Sequence, residues 1–122
     1  MIGRRSFFRG VLVIGIVMLL GACMKFDTLP QLEIRVVDEN GSVVSGAYVA
    51  LFDSKIEWDN ARNPVQVWRR TDQEGKVFFV DLQEMAYYVY ARFDGKDNSF
   101  GGVNLSEPLR LNQKNKIEIE IR

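Results

Sequence analysis

Hydrophobic and polar residues alternate with a period of two along most of the chain after residue 31. The clearest case is the C-terminal segment, in which Ile117, Ile119 and Ile121 alternate with charged residues. Successive side chains of a β-strand point to opposite faces of a sheet, so this pattern predicts strands that bury one face. No window has a convincing helical spacing, and residues 83–87 would form one helical turn at most.

Turn-forming residues separate the alternating segments at intervals of roughly ten residues. Residues 53–64 are polar and end in Asn63-Pro64, so they are predicted to form a long loop. The strands are predicted at 32–37, 47–52, 65–70, 76–80, 87–93 and 115–122, with a short seventh strand within 101–108. Six or seven short strands separated by turns predict an all-β fold, and we expect a single seven-stranded antiparallel β-sandwich.

The N-terminal segment has a different pattern. Residues 1–10 carry Arg4, Arg5 and Arg9 and no acidic residue, and residues 11–20 are uncharged. A helix that spans a membrane needs about 20 apolar residues, roughly twice the length of this run. A basic start, a short apolar core and small residues at its end are typical of a secretory signal peptide.

The end of this segment carries a more specific motif. Leu20-Gly21-Ala22-Cys23 resembles the lipobox of bacterial lipoproteins, which ends in an invariant cysteine. The resemblance implies cleavage before Cys23, a diacylglycerol on its sulfur and an acyl chain on the new amine; no other cofactor is expected. The alternatives are a plain signal peptide followed by an unrelated cysteine, or a buried N-terminal helix.

Lipidation of Cys23 would define the organisation of the chain. Two or three acyl chains hold a protein firmly on a membrane, whereas one binds only reversibly. We therefore expect a signal peptide at 1–22, a lipidated tether at 23–31 and one domain at 32–122. Met24 stands where an inner-membrane retention signal usually has Asp, so resemblance to that sorting rule favours the outer membrane of a bacterial envelope.

Three blocks of the predicted domain resemble a known family, the carboxypeptidase regulatory-like domains of the transthyretin-like (prealbumin-like) sandwich. The blocks are IRVVDENGSVVSGAYVALF at 34–52, TDQEGKVFFVDL at 71–82 and YYVYARF at 87–93. The resemblance implies a Greek-key, immunoglobulin-like topology. This chain lacks the glycine that the family often has at position 85, and its 53–64 loop is longer than usual.

Two turns explain part of this motif physically. Asp38 and Asp72 are predicted to accept hydrogen bonds within their own turns, and Gly41 and Gly75 are predicted to adopt positive φ angles.

The composition argues against most catalytic chemistry. The chain has no histidine, and its single cysteine is assigned to lipid, so Ser–His and Cys–His nucleophiles are excluded.

The charge balance argues against a nucleic-acid partner. Without the first 22 residues, the chain has 13 basic and 16 acidic residues, which is unlike the basic surface that nucleic acids require. Carboxylates recur in loops but lack EF-hand spacing, so we expect turn capping and no metal site. We predict no enzymatic activity; a hydrolase that uses two of these acids is the disfavoured alternative.

Aromatic residues form the candidate interaction surface. If Tyr87 and Val89 point inward, then Tyr88, Tyr90 and Arg92 point outward in a row. Trp58 in the long loop and Trp68 on the third strand extend this surface; Phe78 and Val80 are also predicted to face outward. Tyr, Trp and Arg are enriched at interface hot spots.

Three functions are compatible with such a surface. We favour a non-enzymatic binding or assembly module that contacts another envelope protein. One alternative is a carbohydrate-binding module that uses Trp58 and Trp68 as stacking platforms. Another is the tethering of a secretion machine to the outer membrane, which is implied by a loose resemblance to small lipoproteins with that role. A purely structural explanation also remains, in which the aromatic residues pair across strands or are covered by the 53–64 loop.

Overall fold

The computed structural model describes residues 28–122, so the predicted signal peptide, the lipobox and Cys23 lie outside the described residues. The elements are β1 (Gln31–Val37), β2 (Tyr48–Phe52), α1 (Lys55–Asn60), β3 (Arg69–Arg70), β4 (Lys76–Phe79), β5 (Tyr88–Phe93), β6 (Lys96–Asp97) and β7 (Lys114–Glu120). The described part of the chain is therefore mostly β-strand, as the alternation predicts. It contains no helix with the length and apolar character needed to cross a membrane.

The strands form two sheets, with the orders β4-β1-β7 and β3-β2-β5-β6. β1 pairs antiparallel with β4 but parallel with β7, where Ile34 lies opposite Ile117. The prediction of a wholly antiparallel fold is therefore wrong for this pair. Both strands still bury their alternate residues, because a period of two specifies which face is apolar and carries no information about strand direction.

The apolar faces of the two sheets contribute to one core. The buried strand residues of this core are Leu32, Ile34, Val36, Val77, Phe79 and Ile119 from the three-stranded sheet and Val49, Leu51, Val89 and Ala91 from the four-stranded sheet. Burial of a large aliphatic side chain contributes about 1.5–3 kcal/mol relative to its exposure. The inward-facing positions are confirmed for these strands, except that Phe93, predicted to face inward, is 39% exposed. It lies at the end of β5, beyond the core.

Two turns of identical construction flank the core. Oδ1 of Asp38 accepts hydrogen bonds from the backbone N–H groups two and four residues later, at 2.9 and 3.0 Å. Oδ1 of Asp72 makes the same pair of bonds at 2.8 and 3.0 Å. Gly41 and Gly75 have φ angles of 81° and 74°. Both predictions about these turns are confirmed.

The segment predicted as a long loop contains the helix α1. The Ser54 hydroxyl accepts a hydrogen bond from the Glu57 backbone N–H at 3.3 Å, which caps the first turn. Ala61 adopts the left-handed conformation and ends the helix. The prediction of a loop is wrong here because a six-residue helix is shorter than the window of 11–18 residues in which helical periodicity can be recognised.

Other predicted boundaries also change. Only Arg69 and Arg70 pair as a strand within the segment 65–70, and Val67 is 75% exposed. The strand expected within 101–108 is reduced to one isolated bridge, between Leu105 and Tyr88. Instead, β6 forms a tight hairpin with β5 in a stretch where no strand is predicted. Pairs of two residues are too short to show alternation.

The first described residues pack on the domain. The Thr28 backbone N–H donates to Oδ1 of Asn112 at 2.6 Å. Pro30 is buried, and its carbonyl accepts a hydrogen bond from the Leu82 backbone N–H at 3.1 Å. The C-terminal part of the predicted tether therefore contacts the fold.

Candidate functional site

Four residues form a row across the outer face of the four-stranded sheet. Tyr48 on β2 lies opposite Arg70 on β3 and opposite Arg92 on β5. Arg92 in turn lies opposite Asp97 on β6. Directly opposite residues on neighbouring strands project from the same face, so their side chains are neighbours. We call Arg70, Tyr48, Arg92 and Asp97 the arginine row.

An aromatic cluster continues the same face beside the arginine row. Its members are Phe52, Trp58, Trp68, Tyr88 and Tyr90, which pack around Ala50. The rings of Trp68 and Tyr90 meet edge to face, with their centroids 5.9 Å apart. Trp68 makes a similar contact with Phe52 at 6.3 Å. The structure thus brings together the four aromatic residues that the sequence marks as a candidate surface.

Helix α1 covers part of this cluster. Its Trp58 is only 5% exposed, and the indole Nε1 donates a hydrogen bond to the Val89 carbonyl at 2.7 Å. The Trp58 ring centroid lies 6.3 Å from that of Tyr88 and 6.2 Å from that of Tyr90. Tyr88 and Tyr90 do point outward, but both are half-buried beneath the helix. The cover by segment 53–64, considered above as the structural explanation, is therefore present over these two tyrosines.

The arginine row remains open to solvent. Tyr48 is 42% exposed, and the guanidinium carbons of Arg70 and Arg92 lie 5.0 and 5.9 Å from its ring centroid. Arg92 also lies 4.8 Å from the centroid of Trp68. Cation–π contacts of this kind favour one arrangement of the guanidinium groups over the aromatic rings. Arg92, the outward residue predicted from alternation, is thus part of an exposed cationic and aromatic surface.

A pocket of about 520 Å³ lies against the arginine row. The lining residues outside the arginine row are Gly46, Tyr90, Phe93, Asp94, Gly95 and Lys96. Among residues 28–122, the ion pairs include neither Arg70 nor Arg92, whereas Lys96 pairs with Glu39 at 3.1 Å. The pocket therefore presents two guanidinium groups whose charge the described part of the chain does not neutralise by direct pairing.

Two titratable groups of this face have shifted pKa values. Burial raises the pKa of the Tyr90 phenol, and the nearby Asp97 carboxylate raises it further. Hydrogen bonds from the Ser99 hydroxyl and backbone N–H lower the pKa of Asp97. At neutral pH the Tyr90 phenol is therefore protonated and Asp97 is ionised, so neither group is poised to exchange a proton near pH 7.

The residues at this site differ partly from those singled out in the sequence. Tyr48 and Arg70 were missed, although the outward direction of Tyr48 follows from its position between Ala47 and Val49. The position of Arg70 had no such signal, because β3 has only two residues. For Trp58 and Trp68, the arrangement gives little support to the sugar-stacking role, because Trp58 is buried and Arg92 lies over the Trp68 ring.

Two further sequence expectations concern metals and the opposite sheet. No group of three or more metal-ligating side chains occurs within residues 28–122.

On the opposite sheet, Phe78 of β4 and Val80, the residue after this strand, are exposed as predicted. The Lys114 ammonium lies 5.9 Å from the Phe78 ring centroid. The same sheet face has a pocket of about 530 Å³, whose lining includes Glu33, Arg35 and Lys76.

Comparison with known proteins adds no family assignment. No protein-family model matches the sequence, and no curated protein matches it significantly. The candidate function therefore depends on the residues of this chain alone.

Proposed function

We propose that this protein is a lipid-anchored lipoprotein of the bacterial envelope, most consistent with the outer membrane, whose β-domain is a non-enzymatic binding module for another envelope protein. The lipobox-like sequence Leu20-Gly21-Ala22-Cys23 supports the anchor. The domain supports the binding role through the arginine row and its pocket.

The exposure of the arginine row is the observation that carries the binding role. Arg and Tyr are enriched among the residues that contribute most to protein interfaces. Here an exposed Tyr48 lies between two arginines, next to an apolar and charged pocket. A purely structural pair of arginines would be expected to meet a carboxylate of its own chain, and the described residues supply none at ion-pair distance.

We also propose that the domain is a single seven-stranded sandwich of the transthyretin-like type. The shared core of the two sheets supports this interpretation. Further support comes from the twin turns at Asp38 and Asp72, which occupy equivalent positions in the first two sequence blocks. The contacts of Thr28 and Pro30 with the domain shorten the proposed free tether to residues 23–27.

The anchor is tested by metabolic labelling of the full chain with an alkyne-bearing fatty acid in a bacterial host. We expect label on the wild-type protein, recovery in the membrane fraction, and loss of both in Cys23→Ser. A matched Ser6→Ala change in the basic segment should alter neither result. Wild-type protein without label would contradict the lipid anchor.

The binding role is tested by chemical crosslinking in cells, affinity purification and mass spectrometry. We expect one envelope protein in near-equal amount with the wild-type chain. The same partner should be lost from the double variant Arg70→Gln/Arg92→Gln. Recovery of no specific protein from the anchored wild-type chain would contradict the assembly role.

A further inference from the structure

We infer that the arginine row binds the carboxylates of an acidic segment in the partner protein, with Arg70 and Arg92 as the two contact points. This inference rests on the proposed function, because it names the chemistry of the partner at that surface. It concerns a part of the sheet that α1 leaves uncovered.

The two guanidinium groups are held in place before any ligand binds. Arg70 donates from Nε to the Gly46 carbonyl at 3.3 Å and stacks over Tyr48. A Cβ at position 46 would lie 2.9 Å from a terminal nitrogen of Arg70, so the glycine leaves the space that this group occupies. Arg92 is held between the rings of Tyr48 and Trp68. Pre-positioned groups lose less conformational freedom when a partner binds.

The pocket has an excess of cationic side chains, because Arg70, Arg92 and Lys96 line it together with the two acids Asp94 and Asp97. Neither acid of the pocket pairs directly with Arg70 or Arg92. Asp97 accepts hydrogen bonds from Ser99 at 2.9 and 2.5 Å, and Glu39, outside the pocket, pairs with Lys96. Arginine pairs with carboxylates through two parallel hydrogen bonds, which are stronger than neutral ones. The nitrogen atoms of Arg70 and Arg92 not used within the domain are therefore suited to two acidic side chains.

The same geometry favours a protein over a sugar. Sugars stack on free aromatic faces, whereas Tyr48 and Trp68 have guanidinium groups over their rings. The exposed Phe93 edge of the pocket offers an apolar contact beside the charges. Alternating apolar and acidic groups are what an acidic polypeptide segment presents, and interface hot spots combine aromatic residues with arginine in this way.

The test places a photoreactive benzoylphenylalanine at position 93 of the full chain in cells of the native host. The same group at position 78, where an exposed Phe lies on the other sheet, is the matched control. After irradiation, the crosslinked peptide is mapped by mass spectrometry. We expect an adduct from position 93 with a protein segment that carries at least two Asp or Glu residues beside the crosslink, and no such adduct from position 78.

Charge variants complete the test. Arg70→Gln combined with Arg92→Gln should lower the yield of that adduct at least tenfold, whereas Arg110→Gln, an exposed arginine in the connection to β7, should leave it unchanged. Replacement of the same pair by lysine keeps the charge but loses the paired donors, and should restore only part of the yield. Thermal unfolding of each variant shows whether a loss of yield reflects a loss of folding.

Several outcomes would overturn the inference. They are an adduct with a polysaccharide or a lipid headgroup, an adduct with a neutral or basic segment, and a yield that a folded Arg→Gln variant leaves intact. An absence of any adduct from position 93, while chemical crosslinking still recovers a partner, would overturn this inference and leave the proposed function standing. Failure of both experiments would reject the assembly role itself.

Discussion

The indole nitrogen of Trp58 donates a hydrogen bond of 2.7 Å to the carbonyl oxygen of Val89. This bond fastens α1 to β5, and the buried Trp58 ring covers two tyrosines of the same sheet. The helix has only six residues and is too short to be stable on its own. The contact therefore determines how much of the outer face is closed.

Loss of Trp58 should destabilise the protein strongly. Trp58→Ala removes a buried ring and leaves a cavity, so we expect the free energy of unfolding to fall by about 3–5 kcal/mol. Trp58→Phe keeps most of the packing and loses the donor, so a loss of about 1 kcal/mol is expected. Chemical denaturation measures both values, with Val67→Ala at an exposed position as the control. Equal losses in the two Trp58 variants would show that the hydrogen bond, rather than the ring, holds the helix.

Gly41 and Gly75 lie in the two similar turns that begin at Asp38 and Asp72. Alanine at each position measures how much a side chain there lowers the stability of the protein. Both have positive φ angles, so alanine at either position costs about 1–2 kcal/mol of backbone strain. At position 75 a Cβ would also lie 2.9 Å from the Val36 carbonyl oxygen, whereas position 41 has open space. We expect Gly75→Ala to lower the denaturation midpoint clearly more than Gly41→Ala. Equal midpoints would contradict the close packing of the second turn against β1.

Asn98 fixes the β5–β6 hairpin through a fully buried amide. Its Nδ2 donates to the Val89 carbonyl at 2.7 Å, and its Oδ1 accepts from the Ala91 backbone N–H at 3.0 Å. Asn98→Ala leaves the Ala91 N–H without this acceptor, so we expect a loss of about 2 kcal/mol in unfolding free energy. Asn98→Asp keeps the acceptor and loses the donor. Because its new carboxyl is buried, that variant should lose stability as the pH rises and the group ionises.

A comparison of Asn98→Asp with Asn98→Ala across pH 4–8 separates these two effects. The alanine variant is expected to show a constant deficit relative to the wild-type protein, whereas the aspartate variant should show a deficit that grows with pH. A pH-independent deficit for both variants would argue against burial of the amide at this position.

The lowered pKa of Asp97 predicts a specific acid sensitivity. A carboxyl group whose pKa is lower in the folded state stabilises the fold above its ordinary pKa of 3.8, and this stabilisation is lost as the pH falls through the lowered value. We therefore expect Asp97→Asn to be less stable than the wild-type protein at pH 6, with a difference that shrinks below about pH 4. Thermal unfolding at several pH values measures the difference, with the exposed Glu107→Gln as the control. A difference that stays constant down to pH 2 would contradict the prediction.

The alternation of apolar and polar residues predicted those features that are determined within a single strand or turn. The core-facing positions of β1, β2, β5 and β7 and the Asp38 and Asp72 turns follow from spacing and residue type, because each is determined within a few neighbouring residues. The burial of Ala50 and Phe52 on the outer face of β2 does not follow in this way, because they pack with Trp58 of α1. The parallel pairing of β1 with β7 could not be derived in this way, since 83 residues separate Ile34 from its partner Ile117 and the pattern has no direction.

The site was predicted less completely for the same reason. Alternation predicted the outward direction of Tyr88, Tyr90 and Arg92. The cover over the two tyrosines comes from α1, whose single buried Trp58 leaves no periodic signal. Arg70 joins Tyr48 only through sheet pairing. A surface assembled from four strands is a property of the topology, and residue spacing in one strand does not reveal its neighbours.

The contact of Thr28 with Asn112 limits how far the proposed lipoprotein can stand off its membrane. Five residues from Cys23 reach at most about 17 Å when fully extended. β1 then spans about 20 Å from Gln31 to Val37, and Glu39, two residues beyond its end, pairs with Lys96. With β1 directed away from the membrane, the far end of the proposed lipoprotein therefore lies at most about 40 Å above the lipid surface by these chain dimensions. This upper limit favours partners whose binding segment lies close to the lipid surface over partners whose binding segment lies far out in the aqueous space.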